Sequence, residues 1–413
     1  MIAAVGKPSA GKSSLLNAVT DAKAKVGAYP FTTIEPNRGM AWIKVDALLE
    51  LDPRLRSVPV SVLDVAGLVP GAAEGAGLGN KFLDDLRTAQ VLVHVVDASG
   101  TTDEKGQAAR GYDPVGDVEW LFDEIISWVA GNLAAKWPAT ARRHARTGAR
   151  MADTLQAQLS GYGTKPALTA ELVDTLGLRD SEDLEAWDDE RIRDLAAAFV
   201  AARFPTILAL NKIDHPDADV NIMGIVSKYG DDRVVLCSAL AELALRKMAK
   251  AKYIEYVPGT DEVLTAADAP DAGLKPLPSK HASTLESIQD LVLFRHGSTG
   301  VHEVIAAAVA ELGLFPVFPV ASAQSCRGFD LARSAGAAGS SGGASSTDGP
   351  GLFSDVFMVK PGTTVRTFAI NFLRSLYGDD GPGFGHAERP DGTPLSGGHV
   401  LTPDDTVLRI VTG

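Results

Sequence analysis

The stretch "GKPSAGKSS", Gly6 to Ser14, has the spacing G-x-x-x-x-G-K-[ST], with Gly6, Gly11, Lys12 and Ser13 in register. The apolar "MIAAV" before it reads as a short buried strand and "SSLLNAVT" after it as a helix. A glycine-rich loop between a strand and a helix lets backbone amides wrap a phosphate, while the helix N-terminus adds positive potential. Gly6, Pro8, Ser9, Ala10, Gly11, Lys12, Ser13 and Ser14 therefore form the candidate phosphate cradle. Lys12 is placed to reach the outer phosphates, and the Ser13 hydroxyl to ligate Mg2+. This loop commits the chain to an α/β class, a mostly parallel sheet flanked by helices.

Such a loop serves kinases, ATPases and GTPases alike, so a base-recognition element has to separate them. The segment "TILALNKIDH" is an apolar strand ending in Asn211, Lys212 and Asp214, the pattern N-K-x-D. A carboxylate at Asp214 accepts both N1–H and N2–H of guanine, whereas adenine would leave that charge unpaired. Lys212 is expected to lay its stem over the base, and Asn211 to tie the loop back to the phosphate cradle. A further strand, "RVVLCSAL", ends in Ser238, Ala239 and Leu240, which complete a guanine loop. GTP is the expected ligand, with an ATPase of the same fold as the alternative.

The chain has 413 residues, 45% hydrophobic and 22% charged, enough for two or three cores. The start "MIAAVG" runs directly into the glycine loop and offers no secretory address. No stretch approaches the roughly 18 consecutive apolar residues of a membrane span. Cys237 and Cys326 have no metal or redox spacing, and His94, His296, His302 and His386 make no ligand pair. The expected compartment is reducing cytoplasm. A net charge of −13 argues against blanket attraction to nucleic acid but leaves room for a local basic face.

Five stretches carry a family likeness: "GKPSAGKSS", "GAYPFTTIEPNRG", "LDVAGLVPGAAEGAGLGNKFLDDLR", "NKID" and "VFMVKPGTTVRTFA". In this order they resemble the Obg-related translation-factor GTPases, most closely the YchF branch, and the chain keeps the N-K-x-D that some YchF relatives have lost. The resemblance implies Thr33 as the switch threonine reaching Mg2+ and the γ-phosphate, with Thr32 as alternative. It also implies a TGS-like β-grasp domain carried by "VKPGTTVRTFA", and a role at the ribosome. Two departures stand out. Ser9 replaces the asparagine associated with potassium-assisted hydrolysis, and Ala73 replaces a frequent histidine.

Asp64 ends the strand "VSVLDV", where it is expected to hold Mg2+ through water, and Gly67 to turn its amide toward the γ-phosphate. Leu68 follows, where many GTPases carry a water-positioning glutamine. Its side chain cannot orient water, so hydrolysis has to lean on Lys12, loop amides, Mg2+, backbone groups or a partner, and is expected to be slow. Gly71, Gly75, Gly77 and Gly79 read as a flexible switch before "NKFLDDLRTA" restores a helix.

The expected organisation is a G domain over 1–100 and 205–312, a helical insertion over 101–204, and a β-grasp module over 313–413 containing a disordered low-complexity stretch at about 328–351. In the insertion, Leu121, Ile125 and Trp128 share an apolar face. Arg142, Arg146 and Arg150 recur at i, i+4 beside Arg143, a candidate phosphate-binding face for ribosomal or other RNA. From residue 353 onward seven acidic residues stand against five basic ones, which does not support strong RNA affinity and leaves a protein-docking role open. A nucleotide-gated adaptor with negligible turnover is the non-enzymatic alternative.

Overall fold

The computed structural model describes residues 1–20, 37–44, 57–71, 84–322, 356–379 and 381–413. They fall into two compact units, Met1–Ala41 with Val60–Glu311, and Trp42–Pro59 with Leu312–Gly413. The low-complexity stretch and Cys326 lie outside the described residues.

β1 (Ile2–Val5), β2 (Asn37–Lys44), β3 (Ser57–Asp64), β4 (Val91–Asp97), β5 (Thr206–Asn211) and β6 (Val234–Cys237) form a sheet, most of it in the first unit, in the order β2-β3-β1-β4-β5-β6. The pairs β1–β3, β1–β4, β4–β5 and β5–β6 are parallel. Helices cover such strands on both faces, which explains why β1, β4 and β5 read as near-continuous apolar runs and are buried throughout. Register sets Asp97 opposite Asn211 and Asn211 opposite Cys237, so the polar residues that end the strands share the carboxyl edge of the sheet. Ligands bind at this edge in open α/β sheets.

Helix α1 (Lys12–Val19) follows β1. Between β4 and β5 come α2 (Val115–Ala134), α3 (Trp137–Thr147), α4 (Met151–Leu159), α5 (Pro166–Thr175) and α6 (Asp189–Arg203). Their apolar faces do not form a core of their own. Leu121, Ile125, Trp128 and Phe199 share one continuous buried cluster with Ala3, Val5, Leu63 and Val65 of the sheet. The unit continues through α7 (Ala218–Tyr229), α8 (Ala239–Lys250), the hairpin β7 (Ile254–Tyr256) and β8 (Val263–Thr265), α9 (Ser279–Ile288) and α10 (Val301–Glu311).

The second unit contains β9 (Phe315–Val320), β10 (Phe357–Val359), α11 (Val365–Tyr377), β11 (Phe384–Glu388), β12 (Pro394–Leu395) and β13 (Val407–Thr412). Its sheet has the order β10-β9-β13-β11-β12, with β9 and β13 parallel and the other pairs antiparallel. The Thr364 side chain caps α11 by accepting from the Thr367 amide. The helical stripe Val365, Phe368, Phe372 packs on Phe315, Val317, Leu408 and Ile410.

Candidate nucleotide site

The P-loop between β1 and α1 is wound as its glycines require. Gly6 and Gly11 have φ of 143° and 105°, and Ser9 also enters the left-handed region at 62°. A side chain at Gly11 would place Cβ 2.1 Å from Asn211 Nδ2. The Lys12 ammonium folds over the loop, donating to the Gly6 and Lys7 carbonyls at 3.0 and 2.8 Å. Burial lowers its pKa to about 8, against the pull of Asp64. Ala10 presents its carbonyl to the next loop, Pro8 packs under Gly67, and Ser13 and Ser14 open α1, half-buried.

The N-K-x-D loop after β5 is built against that cradle. Asn211 Nδ2 donates to the Ala10 carbonyl at 2.9 Å, while its Oδ1 accepts the Ala239 amide at 3.0 Å. One buried side chain thus joins the P-loop, the N-K-x-D loop and the start of α8. Asp214 accepts the Ser238 hydroxyl at 2.7 Å, and Ser238 also caps α8 through the Ala241 amide. Lys212 is left-handed, φ 68°, with its ammonium 2.6 Å from Asp97 Oδ2. Leu240 is 69% exposed.

Asp64 is fully buried at the end of β3 and accepts the Ser13 hydroxyl at 2.6 Å. A hydroxyl and a carboxylate oxygen side by side at the mouth of the P-loop are hard donors of the kind Mg2+ takes, few in number because phosphate and water supply the rest. Gly67 lies so close to the P-loop that a Cβ there would stand 2.9 Å from both Pro8 Cγ and Pro8 N. Leu68 is 1% exposed and packs into the shared core with Val5, Leu86 and Leu121, while its amide donates to the Gly6 carbonyl at 3.2 Å. Its side chain therefore anchors the loop after β3 from beneath. Thr32, Thr33, Ala73, Gly75, Gly77 and Gly79 lie outside the described residues.

Sequence reading missed Lys7 and Asp97, which brace this site. Lys7, an x position of the motif, is completely buried, 2.7 Å from Asp117 on α2 and 4.1 Å above the Tyr112 ring. Asp97 receives Lys212 together with the Ser99 and Thr102 hydroxyls. Burial pushes its carboxyl up, but Lys212 and these hydroxyls outweigh that, so it titrates below the ordinary carboxylate range. His94 is buried, and desolvation, reinforced by Lys12 and Lys7, lowers its pKa to about 3, so the ring is neutral.

One expectation is corrected. Arg142, Arg146 and Arg150 do not share a helical face, because Gly148 terminates α3 in the left-handed region, φ 56°, and Arg150 caps α4, where it pairs with Asp153 at 2.9 Å. Arg142, Arg143 and Arg146 remain exposed on α3.

Residues 1–116 match the family described as 50S ribosome-binding GTPase, and residues 209–322 match the Obg-like GTPase YGR210-like, G4 motif-containing domain. A GTP binding protein from Pyrococcus horikoshii superposes with a TM-score of 0.69 at 28% identity, covering 100% of this chain and 99% of its own. The Schizosaccharomyces pombe YchF GTPase shares the fold, with a TM-score of 0.52 at 15% identity, covering 100% and 97% of the two chains. An uncharacterized GTP-binding protein of Schizosaccharomyces pombe is 47% identical over 378 residues, 88% of each chain. Likeness at that level over nearly the whole length, on a P-loop sheet with its nucleotide loops assembled, makes this chain a nucleotide-binding member of the Obg-like P-loop GTPases.

Proposed function

We propose that the protein is a GTP-specific, slowly hydrolysing switch of YchF-like type that works at the ribosome in the cytoplasm. The observation that carries guanine specificity is Asn211, which locks the N-K-x-D loop to the P-loop and to α8. Asp214 then stands on a braced loop, where its carboxylate meets the guanine edge and Lys212 flanks the base. Ser238, Ala239 and Leu240 close the pocket through backbone and capping groups. Gly6, Pro8, Ser9, Ala10, Gly11, Lys12, Ser13 and Ser14 take the phosphates.

Ser13 and Thr33 would hold Mg2+ directly and Asp64 through water, and the ion, when bound, would neutralise charge on the phosphates. Gly67 offers its amide to the γ-phosphate. Leu68 contributes packing and no polar chemistry, so the attacking water is oriented by backbone groups or by a partner, and unstimulated turnover lies in the intrinsic GTPase range, roughly 10⁻⁴ to 10⁻² per second. The G domain comprises 1–100 and 205–312, with the helical insertion at 101–204. The sheet-and-helix module over 313–413 is a TGS-like β-grasp domain suited to docking on protein. Arg142, Arg143 and Arg146 on the insertion supply a short basic face for RNA phosphates. Among the described residues no helix is long and apolar enough to cross a membrane, and none is assigned that role.

Sedimentation with purified ribosomes in the presence of GDP or a non-hydrolysable GTP analogue, alongside single-turnover GTP hydrolysis, tests this reading. Co-sedimentation that depends on the nucleotide, with slow but measurable phosphate release, is expected. Ribosome binding indifferent to nucleotide, or absent in every state, contradicts the ribosomal assignment.

A further inference from the structure

Helix α2 of the insertion touches both loops that would register a nucleotide. Asp117, Leu121 and Glu124 fall at i, i+4 and i+7, one stripe of the helix. Asp117 pairs with Lys7 of the P-loop at 2.7 Å. Leu121 is buried in the cluster that holds Leu68. Glu124 Oε1 accepts the Gly71 amide at 2.5 Å, in the turn that follows D-x-x-G, with Gly71 left-handed at φ 84°.

The upper contact is strongly constrained. Lys7 is fully buried and also donates to the Thr102 carbonyl at 2.6 Å. Asp117 in turn accepts from the Tyr112 hydroxyl at 2.8 Å and the Trp120 indole N–H at 3.2 Å. An ammonium removed from water persists only where its partner is fixed, so the winding of the P-loop and the position of α2 are energetically one unit. The lower contact is lighter, a charge-assisted bond from the Gly71 amide to a half-buried carboxylate.

We propose that Asp117 and Glu124 are positioning residues of the nucleotide site, contributed by the insertion: Asp117 sets the P-loop through Lys7, and Glu124 restrains the turn after D-x-x-G through the Gly71 amide. This rests on Gly67 as the γ-phosphate sensor. A γ-phosphate that draws the Gly67 amide toward itself pulls on a chain held four residues later by Glu124, so the Glu124 bond favours the GDP form. By linkage, whatever the bond contributes to one form appears in the ratio of the two affinities and, reciprocally, as a nucleotide-dependent bias on α2, the helix that carries Glu124. The insertion would thus receive the nucleotide signal directly from both loops.

The experiment uses the full chain. Affinities for GDP and for a non-hydrolysable GTP analogue are measured in wild type, in Glu124→Ala, and in the paired variant Lys7→Met with Asp117→Leu, which removes both charges without stranding either. In parallel, 5-fluorotryptophan is incorporated at the five tryptophans, and the Trp120 ¹⁹F resonance is identified by its loss in Trp120→Phe. Glu124→Ala is expected to shift the affinity ratio about fivefold toward the GTP analogue and to abolish the movement of the Trp120 resonance between the two forms. The paired variant is expected to weaken both nucleotides alike, by about tenfold. A ratio in Glu124→Ala equal to wild type, with a Trp120 resonance that still moves, overturns the proposal even if the paired variant does not fold. If instead wild type shows no Trp120 movement and Gly67→Ala binds the GTP analogue normally, the γ-phosphate reading of Gly67 fails with it.

Discussion

Replacing Leu68 by alanine separates a packing role from a catalytic one. The side chain is 1% exposed and sits among Val5, Val65, Leu86 and Leu121, in a cluster that joins the sheet to the insertion. Truncation to alanine at such a site removes the transfer free energy of the lost carbons and leaves a partly collapsed cavity, about 2–5 kcal/mol in total. In a unit of this size the melting transition should fall on the order of 5–15 °C. Chemistry should suffer much less. No donor or acceptor is lost, and the Leu68 amide keeps its bond to the Gly6 carbonyl. Turnover per folded molecule should stay within about tenfold of wild type, at most about 1.4 kcal/mol in barrier. Gly67→Ala is the contrasting perturbation: its Cβ would press within 2.9 Å of Pro8, backbone nitrogen included, at the P-loop itself. It should therefore lose more turnover per folded molecule than Leu68→Ala, and its melt should fall as well, because the P-loop backbone must shift to admit the methyl. The assay is single-turnover hydrolysis at saturating GTP and Mg2+, well below each variant's transition, with thermal melts alongside. If Leu68→Ala melts like wild type but loses turnover, while Gly67→Ala is fully active, Leu68 shapes the attacking-water site and the packing role is wrong.

Asp214→Asn should weaken GTP binding and turn preference toward xanthine nucleotides, because an amide donates to the xanthine oxygen; competition of XDP against labelled GDP measures it. Lys12→Ala should depress binding of GDP and GTP together, whereas Ser13→Ala should act chiefly through the Mg2+ dependence of affinity and turnover, read by titrating Mg2+ in both variants. The lowered pKa of Lys12, about 8 in the nucleotide-free protein, gives a signed pH dependence. The charged form holds phosphate, so GDP affinity should fall as pH rises through 8, by up to tenfold per unit. Lys12→Arg should flatten that fall in isothermal titrations between pH 6.5 and 9.5, since a guanidinium stays charged.

The strand, loop and helix around Gly6–Ser14 are legible because each signal is local: an apolar run, glycines at fixed offsets, then helical periodicity. The same holds for Asn211 and Asp214, whose chemistry is readable from the end of an apolar strand. Lys7 is invisible to that logic, because the motif leaves its position unspecified and a lysine ordinarily reads as solvated. Its partner Asp117 looks like a first-turn acid on an amphipathic helix, and only the tertiary placement of α2 against the P-loop reveals the pair. Leu68 is similar: the sequence shows only that no polar group stands at that position, whereas burial shows what the side chain does, as an apolar anchor. The arginine spacing misled because i, i+4 counting was carried through Gly148, a residue whose lack of Cβ is itself a stop signal. The insertion's core was partly readable from Leu121, Ile125 and Trp128, but not its fusion with the core of the sheet, which depends on contacts far apart in sequence.

The central claim is that Asp214, on a loop locked by Asn211 to the P-loop, selects guanine. The most direct measurement is the equilibrium affinity of the wild-type chain for GDP and ADP, and for non-hydrolysable GTP and ATP analogues, side by side in the same Mg2+ buffer. A site that hydrogen-bonds the guanine edge should prefer the guanine nucleotides by at least about a hundredfold, about 2.7 kcal/mol, in both pairs, and Asp214→Ala should erase most of that margin. Adenine nucleotides bound as tightly as their guanine counterparts, or a margin untouched by Asp214→Ala, would contradict it.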